Sequence, residues 1–168
     1  MKNYEISNND LLTNFYEKVK NGDLPSIFEI TLPIAFIHKT IFTNGEEFLK
    51  ENFALLNSEI DVLASLYTHN KVLTPTQLYD LTIFSSGGMT KVLKRLEERG
   101  YIYRKADVKD KRCMLVCLSQ EGEAITKQAL NEISKECSKY FCVLDKEERE
   151  VFKKLLKKVA TNLKTTST

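Results

Sequence analysis

A mainly α-helical chain carrying one small β-hairpin is what the sequence predicts, and three observations lead there. Apolar residues recur at helical spacing over most of the 168 residues. The period switches to alternation only around residues 101–118, where two short strand-like runs flank a polar stretch. Hydrophobic residues at 42% and charged residues at 29% suffice for a packed core and exclude a wholly disordered chain.

The first helix is expected from about 9 to 21, with Leu12, Phe15 and Val19 on one face and Gly22 as its stop. A second helical region runs from about 26 to 52. Its first half holds more apolar surface than one thin core can take, so part of it is expected to pack on a second subunit. Pro33 lacks a backbone donor and is expected to kink or divide this helix. From Asn57, the residues Ile60, Leu63 and Tyr67 mark a short helix, with Glu59 and Asp61 in its first turn where the helix dipole favours them. Val72 and Leu73 form a brief extended link.

Thr74-Pro75-Thr76-Gln77 reads as a capping box opening a helix that Leu78 and Leu81 turn inward and that ends near Ile83. Ser85 reads as the N-cap of the next helix, which runs to about Arg99. Met89, Val92, Leu93 and Leu96 form its apolar stripe, Thr90, Lys91, Lys94 and Arg95 stand opposite, and Gly100 ends it. Residues 101–105 and 113–118 then make a hairpin across 106–112. Ser119 caps a long helix to about Leu144, striped by Ile125, Ala129, Ile133, Cys137 and Phe141. Asp145 with Glu148 opens the last helix, with Phe152, Leu155, Val159 and Leu163 facing inward.

The formal net charge of +2 conceals an uneven distribution. Between Ser85 and Arg112 nine cations stand against four acids, so this segment carries +5 and the rest of the chain −3. Two short helices, the second basic on its outer face, followed by a basic hairpin, describe a winged helix-turn-helix that inserts its second helix in a major groove of duplex DNA. Ser85, Ser86 and Gly87 lie at that helix's N-terminus, where hydroxyls, backbone N–H groups and small side chains admit a phosphate. Thr90, Lys91, Lys94 and Arg95 face the groove. At the hairpin tip, Lys109 and Arg112 are the expected DNA contacts, Arg112 in the minor groove with Asp110 orienting it through a charge-assisted hydrogen bond.

These segments resemble the MarR family of bacterial transcriptional regulators. The resemblance runs from about 53 to 122 and rests on LNSEIDVLASL, TPTQLYDLTIFSSGGMTKVLKRLEERGYIYRK, DVKDKR and LSQEG. It implies a homodimer whose first and last helices interlock while two winged domains read a pseudo-palindromic operator. It implies residues 86–95 as recognition helix, Arg112 as wing arginine and Asp110 as its support. Lys111 departs from the frequent arginine there, and the helix before Gly22 and Pro33 in the dimerisation helix depart as well. The expected organisation is therefore an N-terminal helical dimerisation region (1–52), a winged helix-turn-helix domain (53–118) and C-terminal helices completing the dimerisation region (119–168).

The expected function is a cytoplasmic, homodimeric, sequence-specific repressor. The alternative weighed is a winged-helix module that binds protein; the +5 segment, in place of exposed apolar anchors, disfavours it. The resemblance implies control by a small aromatic effector or an oxidant. Phe36, His38 and Tyr67 are pocket candidates. Cys113 and Cys117, near Arg104, Lys105 and Arg112, are the redox candidates; no cysteine precedes them, so the reactive thiol of the family's redox members is not carried over. No cofactor, metal, membrane segment or catalytic group is expected: the sequence holds no phosphate-binding glycine loop, no Cys-x-x-Cys pair and no nucleophile-base pair.

Overall fold

The computed structural model describes residues 8–82, 88–108 and 113–163. In chain order these form α1 (Asn8–Lys20), α2 (Phe28–Phe53), α3 (Asn57–Thr68), β1 (Val72–Leu73), α4 (Pro75–Leu81), α5 (Met89–Glu98), β2 (Ile102–Ala106), β3 (Met114–Leu118), α6 (Gln120–Tyr140) and α7 (Lys146–Leu163). They fall into two compact units, Met1–Asn57 and Ser58–Thr168. Among the described residues no helix is long and apolar enough to cross a membrane.

In the first unit α1 meets α2 through an edge-to-face pair of Phe15 and Phe28, ring centroids 5.9 Å apart, with Val19 buried. The expected division at Pro33 does not occur: α2 is one helix of 26 residues. Pro33 sits early enough that the carbonyl it leaves without a donor is that of Glu29, in the exposed first turn of the helix. Ile27, at the N-cap of α2, and Ile30, Ile34 and Ile37 along it remain exposed. Buried Asn57 donates from Nδ2 to the Phe42 carbonyl at 3.0 Å and to Glu46 Oε2 at 3.2 Å, pinning the chain to α2 at the unit boundary.

The second unit builds its core from Val62, Leu63 and Leu66 of α3, Leu78 of α4, Leu93 and Leu96 of α5, Ile102, Val116 and Leu118 of the sheet, and Ala129 of α6. The link expected at Val72–Leu73 is a strand. It pairs antiparallel with β3, Val72 opposite Cys117, giving the order β1-β3-β2. The hairpin register runs from Ile102 opposite Leu118 to Ala106 opposite Met114.

Ser119 caps α6 as expected, its hydroxyl accepting from the Gly122 N–H at 2.9 Å and donating to the Gly100 carbonyl at 2.7 Å. The Ser119 N–H donates to the Tyr101 carbonyl at 3.0 Å. A side chain on Gly122 would overlap that same carbonyl, so the first turn of α6 lies directly on the backbone that leaves α5. The buried stripe of α6 runs through Gly122, Thr126 and Ala129, with Ile125 only half-buried; the Thr126 hydroxyl satisfies itself on the Gly122 carbonyl at 2.5 Å. The helix stops at Tyr140, short of Leu144, and the Arg149 guanidinium donates to the carbonyls of Phe141 and Leu144.

Lys71 Nζ lies 2.6 Å from one oxygen of Glu123 and Lys127 Nζ 3.0 Å from the other. The Lys71 ammonium, then that of Lys127, hold the Glu123 carboxyl below the ordinary value. Asp145 and Glu148 cap α7 reciprocally, each backbone N–H 2.9 Å from the other's carboxylate. The inward placement expected for Leu155, Val159 and Leu163 is corrected: all three are exposed.

Candidate nucleic-acid interface

The helix-turn-helix is positioned by local chemistry legible in the sequence. Thr74 Oγ1 accepts from the Gln77 N–H at 3.1 Å, and the Gln77 side chain accepts from the Thr74 N–H at 2.9 Å, so α4 opens on a closed capping box. After α4, residues 83–87 lie outside the described residues, and with them Ser85, Ser86 and Gly87. The described helix α5 begins at Met89 behind Gly88, with no side-chain cap bond. Leu93 and Leu96 anchor it in the core, which turns Thr90, Lys91 and Lys94 to solvent. Gly100, at φ +73°, ends it by sending its N–H to the Glu97 carbonyl while the Tyr101 N–H reaches Leu96.

The cationic face is less open than the charge count implies. Arg95 Nε lies 3.2 Å from Glu59 Oε1 and Arg99 Nη1 3.9 Å from Glu59 Oε2. Arg99 is also seated on Tyr101, 4.8 Å above the ring, with Nη2 donating to the hydroxyl at 3.3 Å. Arg104 Nε pairs with Glu97 Oε2 at 3.2 Å and ties the hairpin to α5. Lys94 makes only a loose 3.7 Å pair with Glu98, both side chains exposed. Lys91 and Lys105 are exposed and form no ion pair with a described residue.

Glu59 is the functional neighbour that the sequence reading missed. Its first-turn position suggests a solvated acid favoured by the helix dipole, yet it is 0% exposed. The signal was its spacing: Glu59, Val62, Leu63 and Leu66 share one helical face, and the last three are core.

Tyr103 and Val108 are exposed on the hairpin, and the Asp107 N–H closes on the Cys113 carbonyl at 2.9 Å. Its tip, with Lys109, Asp110 and Arg112, lies outside the described residues. Of the redox candidates, Cys117 is buried in β3 at 1% exposure. Cys113 is half-buried at the start of that strand. The pocket candidates do not share one unit. Phe36 and His38 lie on α2, His38 exposed with its ring 5.7 Å from Phe42, and Tyr67 lies on α3 with Lys127 Nζ 5.7 Å from its ring. A shallow depression on α2 takes in Phe36, Lys39, Thr40, Thr43 and Asn44, but not His38.

Comparison with known proteins decides the family. The sequence profile of the MarR family matches residues 55–112. An HTH-type transcriptional regulator of Bacillus cereus is 36% identical over 124 residues, covering 70% of this chain and 81% of that relative. The chain belongs to the MarR family. It is a DNA-binding transcriptional regulator with a winged helix-turn-helix. Escherichia coli MarR in its apo form superposes with a TM-score of 0.64 at 26% identity, over 77% of this chain and 95% of that chain. The fold is shared with the organohalide-sensing regulator RdhR-CbdbA1625 in its 2,4-dichlorophenol-bound form, with a TM-score of 0.68 at 22% identity over 83% and 82% of the two chains. In this MarR-family chain, α4 and α5 are the helix-turn-helix and β2–β3 the wing.

Proposed function

We propose that the chain acts in the cytoplasm as a homodimeric repressor that reads a pseudo-palindromic operator with α5 of each protomer. The observation that carries this reading is the orientation of α5: Leu93 and Leu96 hold it down while Thr90, Lys91 and Lys94 stand outward on one exposed face. Thr90 and Lys91 are assigned to base edges, Lys94 to phosphate, and Ser85, Ser86 and Gly87 to the phosphate at the helix start. Lys109 and Arg112 are assigned to the wing contact, with Asp110 as support.

Dimerisation is assigned to regions 1–52 and 119–168, on either side of the winged domain 53–118. Support comes from the exposed isoleucines of α2 and the exposed Leu155, Val159 and Leu163 of α7, since apolar stripes of this extent mark interfaces. Control by a small aromatic effector is part of this reading, with Phe36 and His38 as candidates on α2 and Tyr67 as a separate candidate on α3; support comes from the related fold seen in its 2,4-dichlorophenol-bound form. Half-buried Cys113 remains the candidate for an oxidant.

Selection of duplexes from a random library at near-physiological salt tests the reading. An enriched inverted repeat with half-sites about one helical turn apart is expected. A folded protein that enriches a single, unrepeated half-site is no dimeric reader, and one that enriches nothing refutes the assignment of α5.

A further inference from the structure

Beneath the helix assigned to the duplex lies a fully buried carboxylate. Glu59 meets α5 through two guanidinium groups, Arg95 at 3.2 Å and Arg99 at 3.9 Å. The two arginines differ in their hold. Arg99 has a second seat on Tyr101, whereas the Arg95 side chain is 50% exposed and needs only a rotation to reach outward. Turning the Arg95 guanidinium away would leave the charge of the buried Glu59 carboxylate less compensated, which is costly even though the arginine itself is half in solvent. A guanidinium free on a recognition helix binds any phosphate, adding affinity without sequence information and steepening the salt dependence.

We propose that Glu59 is a specificity-determining residue: it keeps Arg95 on the protein, withholds it from sequence-independent phosphate binding, and, together with Arg99, fixes the rotation that presents Thr90, Lys91 and Lys94. This rests on the reading of α5 as the recognition helix. Glu59 touches no DNA itself. It acts through the arginines, and the discrimination between operator and bulk duplex depends on its charge rather than on its volume.

The test compares wild type, Glu59→Gln, and Glu59→Gln combined with Arg95→Gln, all checked for helix content by circular dichroism. The probes are a duplex selected from a random library with wild-type protein and the same duplex with its sequence scrambled. Glu59→Gln keeps the shape and removes the charge. It is expected to bind the scrambled duplex more tightly, with a log–log salt slope steeper by about one for the single released cation. The preference for the selected duplex falls several-fold, and adding Arg95→Gln returns the slope to the wild-type value. Unchanged slope and preference in a folded Glu59→Gln protein overturn the proposal. Should Glu59→Gln fail to fold, Arg95→Gln alone decides. A wild-type slope with a reduced preference supports the proposal, and a slope shallower by about one makes Arg95 a phosphate contact and overturns it. A wild-type protein that selects no duplex removes the reading of α5 itself, a failure seen before any variant is compared.

Discussion

Gly122→Ala isolates the contact on which the winged domain turns its corner. In an open helix this change stabilises by about 1 kcal/mol, because alanine loses less backbone entropy than glycine. Here the new methyl group would overlap the Tyr101 carbonyl oxygen and press on Leu118 Cδ1 at 3.0 Å. The obstacle is backbone, not the end of a flexible side chain, so α6 must lift or strand β2 must move. Overpacking of this kind costs about 1–3 kcal/mol. The Tyr101 carbonyl also accepts the Ser119 N–H, and stretching that bond adds about 1 kcal/mol. Against the gain in propensity, the net loss is about 2 kcal/mol, a fall in Tm of about 4–8 °C for a chain of this length. Thermal and urea unfolding, followed by circular dichroism at one fixed protein concentration, read it directly. A variant as stable as wild type, or more so, would show that the approach is loose and that helix propensity decides.

Three further outcomes are expected. Thr74→Ala removes the acceptor of the Gln77 N–H and is expected to cost about 1 kcal/mol, with Thr74→Ser retaining most of it; equal melting of all three proteins contradicts the capping box. Because the Lys71 and Lys127 ammonium groups hold the Glu123 carboxyl below its ordinary value, the contribution of its charge is complete above that value and is lost as pH falls through the folded-state value. The urea midpoint of Glu123→Gln should therefore lie below wild type at neutral pH and converge with it in acid; a gap that persists in acid is the contrary result. Leu155→Glu places a charge on an exposed face and leaves the core of the chain intact, so the expected product in sedimentation is a folded monomer. An undisturbed dimer would take α7 out of the interface.

What the sequence made legible was whatever depends on neighbours along the chain. The Thr74–Gln77 and Asp145–Glu148 boxes, the Ser119 cap, the stop at Gly100 and the apolar stripe of α5 all act over one turn, and each stands where its residue types place it. Partners distant in sequence were hidden. Arg95 and Arg99 are 36 and 40 positions from Glu59 by number: helical spacing puts Glu59 on the buried face of α3, but nothing local names the two guanidinium groups that meet it there. The strand at Val72–Leu73 is too short for its own alternation to show and exists because β3 offers it an edge. The one-residue rotation of α6, which buries Thr126 where Ile125 was expected, follows from Gly122 seating the helix on Tyr101. The residues expected at the wing tip and ahead of α5, 109–112 and 83–87, lie outside the described residues.

The knot formed by Gly100, Tyr101, Ser119 and Gly122 has a mechanical consequence. It binds the exit of α5, the root of the hairpin and the first turn of α6 at one point, so none of the three tilts without the others. The 21 residues of α6 make a lever about 30 Å long. In the proposed dimer, pivoting that lever by about 10° about its far end carries the reading head through about 5 Å, a sizeable part of the groove it must match on a duplex with a repeat of about 34 Å. A signal at the subunit interface would then need to bend no part of the winged domain; turning a rigid arm by a few degrees would put two heads out of step with their half-sites.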